Sequence, residues 1–201
     1  CQKNRIQYPE TKRVDVVDSY FGTKVPDPYR WLEDENSPEV AEWVSKQNEL
    51  TSSYLAKIPF REKIRERLTG IWNYTTMGVP FKEGGRYFFF KKDGRQNQSV
   101  LYVMETLNSE PRVLLDPNTF SADGTIALSE VSPSRDGKYL AYAVNDGGSD
   151  WQKIKVIALP EGKELKDEIS WVKFSSIAWY ANGFYYSRYD EPTEAAKLTR
   201  V

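Results

Sequence analysis

The feature that most constrains this chain is a passage that returns. "RYFFFKKDGRQNQSVLYVME", residues 86–105, alternates aromatic with polar residues, breaks at Asp93-Gly94, and alternates again. A comparable passage, "KYLAYAVNDGGSDWQKIKVIAL", fills residues 138–159, so Arg86-Tyr87 and Lys138-Tyr139 stand 52 residues apart. Asn182-Gly183-Phe184-Tyr185-Tyr186 opens a third unit about 45 residues later, and four strands per ~40–50 residues is the signature of a β-propeller blade. Each blade is one twisted sheet that buries its faces only against neighbouring sheets, and such rings close with typically ~4–8 blades. Two blades and the opening of a third do not close a ring. A β-sandwich of about eight to ten strands is the alternative use of the same stretch.

Eight short runs carry the period of two: "YFFF", "VLYVME", "RVLLD", "IALSEVS", "YLAYAV", "IKVIAL", "FSSIAWY" and "FYYSRY". Between them stand Asp93-Gly94, Asp123-Gly124, Asp136-Gly137 and Asn182-Gly183, dipeptides that favour tight hairpins. Residues 1–36 read differently, as extended and turn-rich, with "VDVVDSYFG" expected to cross a neighbouring surface as an irregular strand. Ser37-Pro38 then reads as an N-cap followed by proline at the first helical position. Val40, Trp43, Val44, Leu50 and Tyr54 fall on one face of the helix that follows, and Pro59 stops it. Phe60, Ile64, Leu68, Ile71 and Trp72 make one stripe on a second helix, too short to hold alone in water. The expected organisation is an N-terminal segment over residues 1–72 and a partial propeller over residues 73–201.

Composition narrows the chemistry. Basic and acidic residues nearly cancel, 28 against 29, which leaves no net field for nucleic acid or an anionic membrane. No apolar run reaches the ~18 residues of a membrane span. Histidine is absent and the single cysteine is Cys1, so this chain cannot by itself assemble Ser-His-Asp or Cys-His chemistry, a disulfide, or a cysteine-rich zinc site. It also carries no G-x-S-x-G elbow, P-loop or dinucleotide fingerprint. Cys1 ahead of the polar stretch "QKNRIQYPE" has the arrangement of a bacterial lipoprotein after signal cleavage, which would make it lipid-anchored or periplasmic. The alternative is an arbitrary chain start and a cytoplasmic protein.

"DPYRWLEDENSPEVAEWVSKQNEL", residues 27–50, resembles the N-terminal segment of the prolyl oligopeptidase family, serine peptidases in which a seven-bladed propeller caps an α/β-hydrolase domain. "GRYFFFKKDGRQNQSVLYV", "LLDPNTFSADGTIAL", "GSDWQKIKV" and "VKFSSIAW" extend the likeness, collinear, over about residues 8–190. The related oligopeptidase B group, which cleaves after Arg or Lys, shares the DPYRWLED opening, whereas GSDW and VKFSSIAW resemble the prolyl branch more closely.

The fold class this implies is mainly β: an N-terminal helical and extended segment, then two to three blades of an incomplete propeller that is seven-bladed in the family. By the same resemblance the catalytic triad lies in a hydrolase domain C-terminal to the propeller, so none of it is in this chain, which alone would be inactive. Residues 1–72 would dock on that domain, and the propeller would admit short proline-containing peptides while excluding folded proteins. Phe174 matches a family phenylalanine lining the propeller side of the peptide site, where its ring would pack on a group N-terminal to the proline. Asp150 matches a family aspartate near the substrate entry, placed to pair with a cation from the absent half. The bland readings are an aromatic buried between blades for Phe174 and a loop-capping residue beside Gly147-Gly148 for Asp150. Trp151 reads as a core anchor, and Asp116 and Asp123 as turn residues. The resemblance implies no metal and no organic cofactor. A non-catalytic propeller that binds a peptide or protein is the alternative of a different class, because fold alone does not set function. The chain by itself would present open blade edges that invite aggregation.

Overall fold

A run of turn residues and prolines shapes the start of the chain. The computed structural model describes residues 6–191, and the chain divides between Thr69 and Gly70 into two compact units. Cys1 lies outside the described residues.

In the first unit β1 (Val17–Tyr20) and β2 (Thr23–Pro26) pair antiparallel. Their loop, Phe21-Gly22, has φ of 51° and 85°, the two left-handed positions of a type I′ hairpin. The strand expected within "VDVVDSYFG" is β1, and the end of that stretch is the turn of a hairpin, because Gly22 takes the positive φ at little cost and turns the chain back. Arg30 closes its base: Nε donates to Asp27 Oδ2 at 2.6 Å, and a second guanidinium N–H donates to Asp18. A 3₁₀ turn at Arg30–Glu33 leads to α1 (Pro38–Ala56), which begins with proline in its first turn as expected. Ser37 is extended at the N-cap, but its side chain makes no cap; its carbonyl accepts from the Ala41 amide at 3.0 Å. Val40 is buried, and the Trp43 indole donates to the Thr11 hydroxyl at 3.0 Å and meets Trp31 edge-on at 6.5 Å. Val44 and Tyr54, expected on the same apolar face, are exposed. No residue of α2 (Arg61–Trp72) is buried.

The second unit is built of antiparallel sheets. β3 (Thr76–Met77) and β4 (Phe81–Glu83) both pair with β5 (Arg86–Lys92) and act as two halves of one strand. β6 (Val100–Met104) and β7 (Arg112–Leu115) complete the first sheet. β8 (Ala127–Pro133), β9 (Tyr139–Asn145), β10 (Gln152–Ala158) and β11 (Lys163–Val172) form a four-stranded meander in chain order. β12 (Ala178–Tyr180) and β13 (Gly183–Tyr185) open a third sheet.

Alternation along β9 explains how the sheets stack. Leu140, Tyr142 and Val144 point to one face and pack with Phe88, Leu101 and Val103 of the first sheet. Ala141 and Ala143 point to the other, where they meet Ile154, Val156 and Val172, with Trp179 and Phe184 of the third sheet packed against them. The central sheet is thus buried on both faces by its sequence neighbours, which is blade stacking and not a two-layer sandwich. The architecture is a partial propeller, mostly β with few helices.

Two glycines set the spacing of adjacent sheets. The β4–β5 turn carries Gly84 at φ 55° and the β8–β9 turn carries Gly137 at φ 71°. A Cβ added to Gly84 would lie 2.4 Å from Gly137 Cα, so neither position has room for a side chain. Arg86 Nη1 donates to the Gly137 carbonyl at 2.7 Å across the same junction. The hairpin dipeptides of the sequence fare unevenly. Asp136-Gly137 does turn a hairpin, but Asp93-Gly94 and Asp123-Gly124 sit in longer connections, and the loop expected at Asn182-Gly183 is Ala181-Asn182.

Candidate functional site

The turn between β9 and β10 is closed by its own polar groups. Gly147 and Gly148 take φ of 57° and 73°, and the Ser149 amide donates to the Asp146 carbonyl at 2.9 Å. Asn145 Nδ2 donates to the Ser149 carbonyl at 3.2 Å, and the Trp151 amide donates to Ser149 Oγ at 3.1 Å. None of these bonds uses the carboxylate of Asp150.

Antiparallel pairing of β10 with β11 places Gln152 opposite Val172, which brings Asp150 and Trp151 beside Lys173 and Phe174. Lys173 Nζ lies 3.2 Å from Asp150 Oδ2. The same ammonium stands 5.3 Å from the Trp151 ring and 5.3 Å from the Phe174 ring. Trp151 is packed edge-on against Trp171 at 5.7 Å and Tyr189 at 5.6 Å. The segment after β11 is pinned to β8: the Ile177 amide donates to Glu130 Oε1 at 3.1 Å, and the Trp179 indole donates to the Ser132 carbonyl at 2.8 Å.

Phe174 is not buried between sheets. It occupies the loop between β11 and β12, with 81 % of its surface exposed and a left-handed backbone at φ 52°. Both residues picked out in the sequence therefore fall in one place, joined through Lys173. The side chain of Asp150 is 61 % exposed and that of Lys173 only 27 %, so the ion pair keeps an open carboxylate edge. Sequence reasoning missed Lys173, Trp171 and Tyr189. The adjacency of Lys173 to Phe174 was visible, but its approach to Asp150 depends on the strand register. The arrangement offers a neutral ion pair beside an exposed aromatic face. Among the described residues no cluster of three His, Cys, Asp or Glu could hold a metal ion.

Consecutive antiparallel sheets stacked face to face define a piece of a β-propeller domain. The chain belongs to the prolyl oligopeptidase N-terminal β-propeller domain family, whose model matches residues 8–201. It is 45 % identical over 197 residues to a prolyl endopeptidase of Elizabethkingia meningoseptica, an alignment that takes in 98 % of this chain and 28 % of that protein. A prolyl endopeptidase of Dictyostelium discoideum is 30 % identical, over 96 % of this chain and 32 % of its own length. Among solved structures, one from a structural and mechanistic study of two prolyl endopeptidases superposes with a TM-score of 0.83 at 34 % identity, covering 94 % of this chain and 28 % of the other. A prolyl oligopeptidase B from Galerina marginata, bound to a 35-residue hydrolysis and macrocyclization substrate, gives a TM-score of 0.75 at 35 % identity. That match covers 92 % of this chain and 30 % of the other. The chain thus spans under a third of the length of these relatives.

Proposed function

We propose that this chain is the N-terminal part of a serine peptidase that hydrolyses short peptides after proline. In this reading it supplies docking, gating and part of the substrate pocket, and the triad comes from a hydrolase domain beyond it. Serine would attack the peptide carbonyl, with histidine as general base and then acid through an acyl-enzyme intermediate. The observation that carries the reading is family membership across residues 8–201, joined to relatives that are prolyl endopeptidases more than three times as long. Phe174 is the substrate-facing aromatic, packing on the group N-terminal to the proline. Asp150 stands at the entry with its open carboxylate edge toward the incoming peptide or a cation of the second domain.

Residues 1–72 are the docking segment in this reading. Ile64, Leu68 and Ile71 are each 48–49 % exposed, and Phe21 at the hairpin tip is fully exposed, a set of apolar groups that a second domain would cover. The test is peptidase assay of the full-length protein on chromogenic peptides ending in proline and, separately, in arginine. Cleavage after proline, abolished by a serine-directed phosphonate, is the expected result. Cleavage after arginine alone would place the protein with the oligopeptidase B group. An intact mass near the 23.3 kDa of this chain in the source organism would remove the peptidase reading altogether.

A further inference from the structure

Two non-glycine residues in left-handed conformation flank one short segment: Trp171 at φ 62° and Phe174 at φ 52°. Side chains avoid this region unless their surroundings impose it, and such strain collects at sites where geometry matters. Here the imposing contacts are visible. The Tyr189 amide donates to the Trp171 carbonyl at 2.9 Å, and the Ser187 amide donates to Ser175 Oγ at 2.7 Å, so the irregular segment after β13 grips these residues on both sides. Between the two strained residues sits Lys173, turned inward, while the Phe174 ring is turned out.

Lys173 reaches three groups at once. Its ammonium is fixed by the Asp150 carboxylate at 3.2 Å and lies 5.3 Å from the Trp151 ring, itself held edge-on by Trp171 and Tyr189. The remaining direction is taken by the Phe174 ring at 5.3 Å. A phenylalanine ring that is 81 % exposed has little packing to select one rotamer. A cation on the ring supplies that selection through the ring quadrupole. It also leaves the rest of the ring's apolar surface open.

We propose that Lys173 is a positioning residue for peptide binding: anchored by Asp150 and Trp151, it holds the Phe174 ring where it meets the part of a peptide substrate N-terminal to proline. The proposal rests on Phe174 facing substrate, as read above. Lys173 does not touch the reacting atoms, so its effect belongs to binding of substrates long enough to reach the ring. Substrates that end short of it are indifferent to Lys173.

The experiment uses the full-length protein with Lys173→Met and Lys173→Arg, and two chromogenic Gly-Pro amides, one capped by an aromatic acyl group and one by acetyl. Lys173→Met is expected to raise KM for the aromatic-capped peptide about five-fold, with kcat unchanged and the acetyl-capped peptide unaffected. Lys173→Arg keeps the cation and restores KM to within about two-fold. Equal losses on both peptides, a fall in kcat alone, or an arginine variant no better than methionine would overturn the proposal. A second readout does not depend on turnover: fluorine NMR of 4-fluorophenylalanine placed at position 174. Its resonance is expected to shift toward that of a free side chain in Lys173→Met and to hold in Lys173→Arg, and an unmoved resonance in Lys173→Met overturns the tether. Cleavage of neither peptide by the unmodified protein would defeat the peptidase reading and the binding role together, with the fluorine signal still deciding whether Lys173 holds the ring.

Discussion

The two compact units use similar apolar residues to opposite ends. In the sheets, Leu140, Leu101 and Phe88 are fully buried, each meeting a neighbour that the next repeat supplies. In α2, Leu68 and Ile64 sit at helical spacing and half of each remains in water. A repeat completes itself from its own sequence, one blade covering the last. The amphipathic helix α2 lies outside the repeat, and no residue along its apolar stripe is buried.

The largest expected effect separates those cases directly. Leu140→Ala should cost about 2–5 kcal/mol, since it removes fully buried methyl groups and leaves a cavity between sheets. Leu68→Ala in the chain alone should change stability by less than about 0.5 kcal/mol, as a half-exposed helix position does. Urea unfolding of the chain and of the full-length protein checks both. A cost of about 2 kcal/mol for Leu68→Ala that emerges only in the longer protein would mark α2 as a docking face. The same small cost in both settings would leave the helix without a role in docking.

Gly137→Ala sharpens the contrast at the backbone level. Its Cβ would stand 2.3 Å from the Gly84 carbonyl oxygen, and the residue would be held at φ 71°. Left-handed strain of about 1–2 kcal/mol and overpacking of about 1–3 kcal/mol together predict a loss of roughly 2–5 kcal/mol. Adding alanine instead at Gly22, where no atom lies near, should cost only the strain, because that turn stands clear of any neighbour. Near-equal losses at the two positions would show that conformation alone, and not the approach of adjacent sheets, fixes Gly137.

Tyr142 turns the buried side of the comparison into a pH dependence. Burial first, and then the charge of Glu164, pushes its phenol up to about 12. The unfolded chain releases that proton near pH ~10, while the fold retains it to higher pH. Stability from the neutral phenol is therefore whole below pH ~10 and falls as pH rises toward 12, by on the order of 2 kcal/mol. Tyr142→Phe should flatten most of that slope in urea midpoints measured across the interval. Lys155, raised chiefly by its hydrogen bond to Glu164, leaves a smaller slope of the same sign.

What the sequence made legible follows the same division. β5, β6, β9 and β10 were readable because each has an apolar set whose period matches a strand with at least one buried face. β11 was not, since "KELKDEISWV" is an edge strand whose charged residues stay in water and erase the alternation. The hairpin dipeptides misled where an aspartate closed a local turn within a longer loop, as Asp123 does by accepting from the Thr125 amide at 3.1 Å. Phe174 and Asp150 were legible only by resemblance, because an exposed ring and an exposed carboxylate leave no periodic trace. Their link through Lys173 is a consequence of strand register, set by contacts distant in sequence.

The smallest effect belongs to the third sheet, which stands between the two extremes. Trp179 and Phe184 pack on the central sheet, yet Tyr180 and Tyr185 on the same strands are about 70 % exposed. Its two-residue loop puts Ala181, not the following glycine, in the left-handed region at φ 50°. Ala181→Gly relieves about 1–2 kcal/mol of strain and loses about 0.5–1 kcal/mol through the freer unfolded chain, for a net gain of about 0.5 kcal/mol. Hydrogen exchange at the Tyr180 and Gly183 amides, which face each other across the loop, is the sensitive measure, since a local gain need not raise the global midpoint. Slower exchange in the variant would mean that the loop position is imposed by the packing of Trp179 and Phe184 against local preference. Faster exchange would mean that the alanine conformation carries little strain, and that Asn182-Gly183 never competed for the turn.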